Sequence, residues 1–389
     1  MSDTHKLIEK YLMCKNYFAD EIQNKIQLAS TYRQRNLPKH FEKTINDANS
    51  LLEQNELRHA EYFNLRYKEL LEKYQFSSQQ KRNKEFNLQE ISSTLDTTFI
   101  TLKLRQTCLL LSHQAIYKKE YDFGLLSFLI QYIEENELLN TPAISVYYFC
   151  YKALTESKNL NFFTKFKNLI FKHDDKFPKT EIRDLYLFAI NYCIRQLNQG
   201  QKHFVKEGLD LYKQGLLKGI LMENKTLSRF AYNNIVAMAI DAEDLNWVDN
   251  FIYQYKDNLV KKYKESTFSF NLARLEYKRK NYDQAIQLLQ RAEYQDLLNN
   301  LISKTLLLKI YFELKEFSLL ESHLDTMKVF LRRKKVIGYH QTNFQNTIRF
   351  TKKLLTTNLF DKVKKSNLKK EIQAEKILME REWLLEQLG

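Results

Sequence analysis

The residue types that carry most enzyme chemistry are present in this chain, but they are scattered. The eight histidines are dispersed, and none lies at a metal-ligand spacing from another. The chain has no glycine-rich dinucleotide motif, no P-loop, no HExxH and no GxSxG. His173 stands beside Asp174 and Asp175, but adjacent loop residues more often form a solvated turn than a general acid and base. We therefore predict a protein that is not an enzyme and that has no catalytic residue, no cofactor and no metal site.

The four cysteines, Cys14, Cys108, Cys150 and Cys193, form no CxxC pair. The last three are 42 and 43 residues apart. This regular spacing predicts small buried residues at equivalent positions of successive helices. The first residues lack the apolar segment of a signal peptide, and no run approaches the roughly 18 apolar residues of a membrane span. We expect a reduced, cytoplasmic protein without a transmembrane segment.

The composition favours helices. Of the 389 residues, 44% are hydrophobic, while only 3 are Pro and 7 are Gly, too few to punctuate a strand-rich fold of this size. The 24 Tyr and 26 Phe are expected mainly as packing residues between helices. We predict a chain that is nearly all helix.

One stretch, residues 268–293, shows the helical pattern most clearly. Its apolar residues recur at helical spacing on both sides of the short turn Arg279-Lys280-Asn281, which predicts an antiparallel helix hairpin. Asn281 followed by Gln284 predicts a capping box for the second helix. The stretch resembles a tetratricopeptide repeat through the large and small residues at Leu272, Ala273, Tyr282, Ala285, Leu289 and Ala292.

The hairpin pattern recurs along the chain. An aromatic residue follows a polar turn at Tyr121, Phe162, Phe204, Trp247, Tyr282 and Phe317, with spacings of 41, 42, 43, 35 and 35. Because one hairpin cannot bury its own apolar face, neighbours must stack. The resemblance therefore implies an all-α fold, a right-handed superhelical α-solenoid of antiparallel helix hairpins. We predict degenerate hairpins at 1–86, repeats at 87–331 that are most tetratricopeptide-like at 268–331, and basic capping helices at 332–389, all in one continuous solenoid.

A wider resemblance covers most of the chain from about residue 87. It is similar to a family of uncharacterised bacterial helical-repeat proteins in the segments NLQEISSTLDTTFITLKLRQ, EIRDLYLFAINYCIRQLNQG, LSRFAYNNIVAMAIDAEDLNWVDNFI and EREWLLEQL. The family brings no catalytic residue to this chain. The resemblance therefore supports the helical fold and leaves the function open.

In tetratricopeptide stacks the first helix of each pair lines the concave wall. The positions that match the ligand-facing ones are Phe270, Arg274, Tyr277 and Lys278, followed by Thr305, Lys309 and Glu313. Three of them are cations, which favours an acidic segment as the ligand. We therefore expect a non-catalytic scaffold for protein–protein interaction, which docks an unidentified partner protein or peptide on a concave helical surface.

The C-terminal end is basic. Of the net charge of +14, +9 falls on residues 328–389, which contain 15 Lys and Arg against 6 Asp and Glu. The last helix is predicted to cap the solenoid with one apolar face made of Leu368, Ile372, Met379 and Trp383. The basic end also leaves an alternative open, a helical-repeat protein that binds nucleic acid.

Overall fold

The structure is a computed structural model that describes residues 3–80, 86–117, 119–291, 297–333, 339–358 and 360–389. This part of the chain forms nineteen α-helices and no β-strand, which confirms the all-α prediction. The helices are α1 Asp3–Tyr17, α2 Glu21–Gln34, α3 Pro38–Gln54, α4 Ala60–Gln80, α5 Leu88–Tyr117, α6 Leu126–Glu135, α7 Pro142–Thr155, α8 Leu160–His173, α9 Lys179–Asn198, α10 Phe204–Leu217, α11 Arg229–Asp241, α12 Leu245–Gln254, α13 Lys264–Lys278, α14 Tyr282–Arg291, α15 Leu297–Glu313, α16 Phe317–Arg333, α17 Tyr339–Thr356, α18 Lys362–Ala374 and α19 Arg381–Glu386.

The chain divides into two compact units. Unit 1 is Met1–Leu221 and holds α1 to α10, and unit 2 is Met222–Gly389 and holds α11 to α19. The division falls inside the predicted repeat section 87–331.

In unit 1, consecutive helices pack in pairs: α2 with α3, α4 with α5, α7 with α8, and α9 with α10. Neighbouring pairs also meet, since α7 contacts both α5 and α9. Cys108, Cys150 and Cys193 lie on these three helices, and all three are free thiols with no exposed surface. The cysteine spacing therefore predicted buried residues at equivalent positions correctly.

Unit 2 repeats this arrangement, with α11 on α12, α13 on α14 and α15 on α16, while α13 contacts both α11 and α15. Ala273 and Ala285 are completely buried and form one apolar cluster with Phe270, Leu289 and Ile310. Small residues at these two positions let the backbones of α13 and α14 approach closely. The predicted hairpin at 268–293 is therefore present as far as Arg291, and Ala292 lies outside the described residues.

The turns between the paired helices of unit 2 share one backbone geometry. Glu243, Lys280 and Lys315 adopt left-handed φ values of 61°, 64° and 61°. At each turn the amide of the next residue bonds to a carbonyl five residues earlier, with N···O distances of 2.9–3.0 Å. This is the Schellman end of a helix, where glycine is the usual residue. Lys280 thus adopts the left-handed conformation at a helix end where glycine is common.

The predicted capping box is not formed. The Asn281 side chain instead donates from Nδ2 to Oε2 of Glu276 at 2.7 Å, which ties the turn back to α13. Glu276 is buried, and its carboxylate accepts both from Asn281 and from Nη1 of Arg279, the latter at 3.1 Å.

The C-terminal end is also not a single helix. Leu368 and Ile372 are buried on α18, which ends at Ala374, whereas Trp383 is buried on the separate short helix α19. Met379 lies between the two helices and is 57% exposed. The predicted apolar face is therefore wrong as a continuous stripe, although three of its four residues join the core of this end.

Of the helices described, none combines the length and the apolar character that crossing a membrane requires.

Candidate partner-binding groove

A groove of about 1400 Å³ lies within unit 2 and is called the unit-2 groove below. Its walls are formed by α11, α13 and α15, with contributions from the turns that follow α13 and α15. Residues from the C-terminal segment 379–387 form a further wall. The groove is thus shared by the first helices of three successive pairs. These helices pack side by side, and the second helices α12, α14 and α16 pack on their other side, so one face of the row stays open.

The structure places six of the predicted binding residues at this groove. They are Phe270, Arg274, Tyr277, Lys278, Lys309 and Glu313. Thr305 does not join them, because it is 4% exposed and its hydroxyl donates to the Leu301 carbonyl of its own helix. Phe270 is also only 4% exposed and belongs mainly to the core behind the groove. Spacing on a helix therefore grouped residues that share one groove, but it did not give the exposure of each side chain.

Glu313 at the end of α15 is the centre of a hydrogen-bond cluster. Its carboxylate accepts from the hydroxyls of Tyr277 and Tyr282, the latter at 2.6 Å. It also accepts from the indole Nε1 of Trp383 at 2.8 Å. The three donors come from α13, α14 and α19, so Glu313 holds the groove walls together.

This cluster keeps the two tyrosines protonated. Burial and the hydrogen bond to the Glu313 carboxylate raise the pKa of Tyr282 to about 12. The same two causes, in the same order, raise the pKa of Tyr277 well above its usual range. Both hydroxyls therefore act as donors at neutral pH, and neither is a base.

Lys309 is already paired within the chain. Its ammonium lies 3.0 Å from Oε2 of Glu380, which stands just before α19. The same Nζ lies 5.3 Å from the ring centre of Tyr277 and 5.6 Å from that of Trp383. The C-terminal segment thus supplies an acidic residue and an aromatic ring to the groove.

Lys278 contributes little in this state. It is exposed and lies 3.7 Å from Glu243, whose side chain is 79% exposed. An ion pair of this kind between solvated groups contributes less than about 1 kcal/mol. Lys278 is therefore a charge at the rim of the groove.

Arg274 is a half-buried groove cation without a carboxylate partner. Its half-buried guanidinium donates to the Asn233 carbonyl at 3.2 Å and lies 3.5 Å from Oδ1 of Asn271, both neutral oxygens. No carboxylate of the described chain lies within ion-pairing distance of it. Burial lowers the pKa of Arg274, and the more distant carboxylates of Asp241 and Glu380 oppose this effect. A carboxylate that entered the groove would therefore meet a partly desolvated positive charge.

The rim of the groove also carries exposed apolar residues. Phe230 and Phe317, from α11 and α16, are 64% and 47% exposed, and Met379 is 57% exposed. Exposed apolar residues are unremarkable singly, but three around one concavity are typical of a binding surface.

Sequence reasoning missed the contribution of the chain end. Trp383 is predicted from the sequence to lie on a capping helix, but in the structure it bonds to Glu313, and the nearby Glu380 pairs with Lys309 at the groove. The sequence does contain a hint of this contribution. Trp383 is one of only 2 Trp in the chain, and it follows Glu380 by three residues in a basic region. Without the path of the chain between α16 and α19, that signal could not be assigned to this groove.

A second concavity, of about 550 Å³, lies between α16 and α17 and is called the basic cleft below. Five cations line it: Lys328, Arg332, Arg349, Lys352 and Lys353. Three of the five form ion pairs. They are Arg349 with Glu375, Lys352 with Asp325, and Lys353 with Glu371. Within the described ranges, Lys328 and Arg332 have no such partner. Two further cations of the basic C-terminal end, Lys334 and Lys335, lie outside the described residues.

The His173 region does not form an acid-base pair. Asp174 forms an ion pair with Lys218, and Asp175 forms one with Lys176 at 2.8 Å. Burial, followed by the charge of Lys172, lowers the pKa of His173. Asp174 differs from the expected solvated turn because its side chain is only 16% exposed.

Comparison with models of protein families, with curated proteins and with solved structures gave no match to this chain.

Proposed function

We propose that this chain is a non-catalytic docking protein that binds an acidic segment of a partner protein in the unit-2 groove. The observation that supports the proposal is Arg274, a half-buried guanidinium on the wall of a groove of about 1400 Å³ that has no carboxylate partner. Because water is already partly excluded there, a charge-assisted hydrogen bond to an incoming carboxylate should be worth about 1.5–3 kcal/mol.

The neighbouring side chains define the rest of the ligand. Phe230, Phe317 and Met379 offer apolar surface at the rim, and Lys278 adds a solvated positive charge. A partner segment with an acidic residue close to a large apolar residue would satisfy both features. The pairing of Glu380 and Trp383 with Lys309 and Glu313 is an intramolecular example of the same chemistry.

The finer architecture is part of this proposal. We interpret α11 to α16 as a tetratricopeptide-like stack, supported by the three identical turns at Glu243, Lys280 and Lys315 and by the contacts among the first helices. The buried free thiols of unit 1 suit a reducing compartment, which supports a cytoplasmic location.

The test compares wild type with Arg274→Gln in a pull-down from lysate, with and without nuclease, followed by identification of the captured proteins. We expect a protein partner that survives nuclease treatment and is lost in the variant. The matched control is Lys262→Gln, an exposed cation of unit 2 that lies outside the groove, which should retain the partner.

With an identified partner, titration calorimetry should show the partner bound about 10- to 100-fold more weakly by Arg274→Gln. Thermal unfolding must show an unchanged transition temperature, so that lost binding is not lost folding. A partner that binds both proteins equally would overturn the groove as the docking site.

The basic cleft supports the second candidate, binding of nucleic acid. Lys328 and Arg332 in this cleft have no ion-pair partner in the part of the chain that the structure describes. Free cations of this kind neutralise phosphates and supply most of the sequence-independent affinity for nucleic acid. Under this alternative, the captured material would be nucleic acid, and Lys328→Gln/Arg332→Gln would lose it while Arg274→Gln would not.

A further inference from the structure

The outer face of α5, in unit 1, carries an apolar stripe that no other described residue covers. Five large residues at heptad-related positions are exposed: Leu88 (52%), Leu95 (46%), Phe99 (45%), Leu102 (48%) and Leu109 (39%). The four leucines are seven residues apart. The remaining positions of the stripe, Ser92, Gln106 and His113, are also exposed. Steps of four and three along the whole helix make a straight seam about 38 Å long.

The fold of unit 1 does not require this stripe. The opposite face of α5 is buried against α4 and α7 through Ile100, Leu104 and Cys108, which are at most 1% exposed. A helix that packs on one side normally has polar residues on the other. Apolar residues that recur every 3.5 positions on the solvent side are instead the pattern by which one helix packs along another.

We propose that α5 pairs with α5 of a second copy of this chain, in an antiparallel arrangement about a two-fold axis, and that the protein is therefore a homodimer. The two-fold axis passes between residues 100 and 101, so that Phe99 faces Leu102 of the second copy. The same register sets Leu95 against Gln106, and Leu109 against Ser92. Every layer of the seam then contains a leucine.

The flanking charges select this partner and this orientation. Asp96 and Lys103 border the stripe on the same side, and neither has an ion-pair partner among the described residues. In the antiparallel pair, Asp96 of each copy lies beside Lys103 of the other, which gives two equivalent ion pairs. In a parallel pair, Asp96 would instead face Ile91, and Lys103 would face Thr98, so both charges would stay unpaired.

The first experiment measures the mass of the full chain by light scattering and by sedimentation over a range of concentrations. We expect wild type at twice the chain mass of 46.8 kDa. Leu95→Glu/Leu102→Glu should be monomeric, with a dissociation constant raised at least about 100-fold, because four charges would enter the seam. Its helix content should be unchanged, since both leucines lie on the surface of the single chain. The matched control Leu160→Glu/Leu217→Glu, at exposed leucines of α8 and α10, should remain dimeric.

The second experiment tests the charge pairing. Asp96→Lys should weaken the dimer at least about tenfold, since like charges would meet across the seam. The exchange Asp96→Lys/Lys103→Asp should restore it. A dimer indifferent to both changes would overturn the antiparallel register.

Disulfide cross-linking reports the orientation directly. In a Cys14→Ser background, which removes the exposed native thiol, Phe99→Cys/Leu102→Cys should give a covalent dimer on mild oxidation. Phe99→Cys alone should not, because only a parallel pair sets residue 99 against itself. A wild-type chain that is monomeric at every concentration, or a dimer that survives Leu95→Glu/Leu102→Glu, would overturn the proposal. The proposal would also be overturned if the protein captured other proteins from lysate through this stripe, so that Leu95→Glu/Leu102→Glu lost one of them while the wild type was monomeric.

Discussion

Two glutamates, Glu181 in unit 1 and Glu313 in unit 2, have similar partners but different surroundings. Glu181 is 2% exposed, accepts from the Tyr147 hydroxyl at 2.7 Å and lies 3.5 Å from Arg105. Glu313 accepts from two tyrosines and from Trp383, and it borders a groove of about 1400 Å³. The same carboxylate–tyrosine chemistry thus lies within packed helices in unit 1 and beside open space in unit 2.

The difference shows that residue types alone do not make a site. Burial, followed by the charge of Glu181, raises the pKa of Tyr147 far above its usual range, so Tyr147 serves only as a donor. Tyr277 behaves in the same way beside Glu313. What distinguishes unit 2 is that its helices leave room for a ligand next to such a pair, with Arg274 on the wall.

The largest loss of stability is expected when the buried carboxylate of unit 1, Glu181, is removed. Glu181→Ala leaves the buried Tyr147 hydroxyl without its acceptor and removes the nearer of the two carboxylates beside the partly exposed Arg105, so the free energy of unfolding should fall by about 3 kcal/mol. Chemical denaturation with far-ultraviolet circular dichroism measures this. Glu134→Ala is the matched control, since Glu134 also accepts from a tyrosine, Tyr148, at 2.6 Å, but its side chain is 45% exposed. That change should cost less than about 1 kcal/mol, and equal losses in both variants would contradict the role of burial.

A smaller effect is expected at the corresponding position of unit 2. Glu313→Gln weakens acceptance from three donors, of which the two tyrosines are only partly buried, and this should cost about 1–3 kcal/mol. In a Trp247→Phe background, the fluorescence of Trp383 should shift to longer wavelength as its indole loses the carboxylate. The exposed Glu316→Gln serves as control and should change neither quantity. An unchanged Trp383 spectrum in Glu313→Gln would count against the cluster.

A fall in pH should destabilise both units, because each contains a half-buried histidine. Burial lowers the pKa of His59 and of His323 below the usual 6.5. Charges of Glu181, Glu61 and Arg105 act on His59, and the carbonyl and charge of Lys304 act on His323.

Because both folded-state pKa values are lowered, the unfolded chain binds more protons as the pH falls through about 6.5. Stability should therefore be complete above that pH and decline below it. Calorimetry of His323→Gln should show a shallower decline in the transition that contains unit 2. A wild-type protein whose stability rises between about pH 7 and pH 5.5 would contradict the buried neutral state.

The smallest effects concern the helix ends, where the two units use different residues. Gly200 in unit 1 has a φ of 87°, while Lys280 in unit 2 has 64° in an equivalent turn. Lys280→Gly should stabilise unit 2 by up to about 1 kcal/mol, because glycine adopts this conformation without strain. Gly200→Ala should destabilise unit 1 by about 1 kcal/mol for the same reason. Thermal unfolding measures both, and the exposed Lys262→Gly, which removes a lysine outside such a turn, should destabilise instead.

Much of the fold followed from local pattern. The helical spacing around Ala273 and Ala285, the aromatic residues after each turn, and the cysteine period reflect contacts between sequence neighbours or adjacent hairpins. The α5 stripe was equally readable from the spacing of Leu88, Leu95, Leu102 and Leu109, but only burial showed which face of α5 is free.

The groove was predicted only in part. Helix periodicity placed Arg274 and Lys309 on one surface, because residues three and four apart share a helix face. It could not show that Lys309 is paired with Glu380, 71 residues away, or that Thr305 is buried.

The sequence by itself determined that this chain forms helices in packed pairs, because helix formation and hairpin closure depend on residues a few positions apart. Only the tertiary structure decided which charges are neutralised and which remain available, because the partners of Glu313 and Lys309 come from helices far apart in the chain. Arg274 is a candidate binding residue for the same reason: no spacing rule reveals that the packing of α11, α13 and α15 leaves its charge half-buried without a carboxylate.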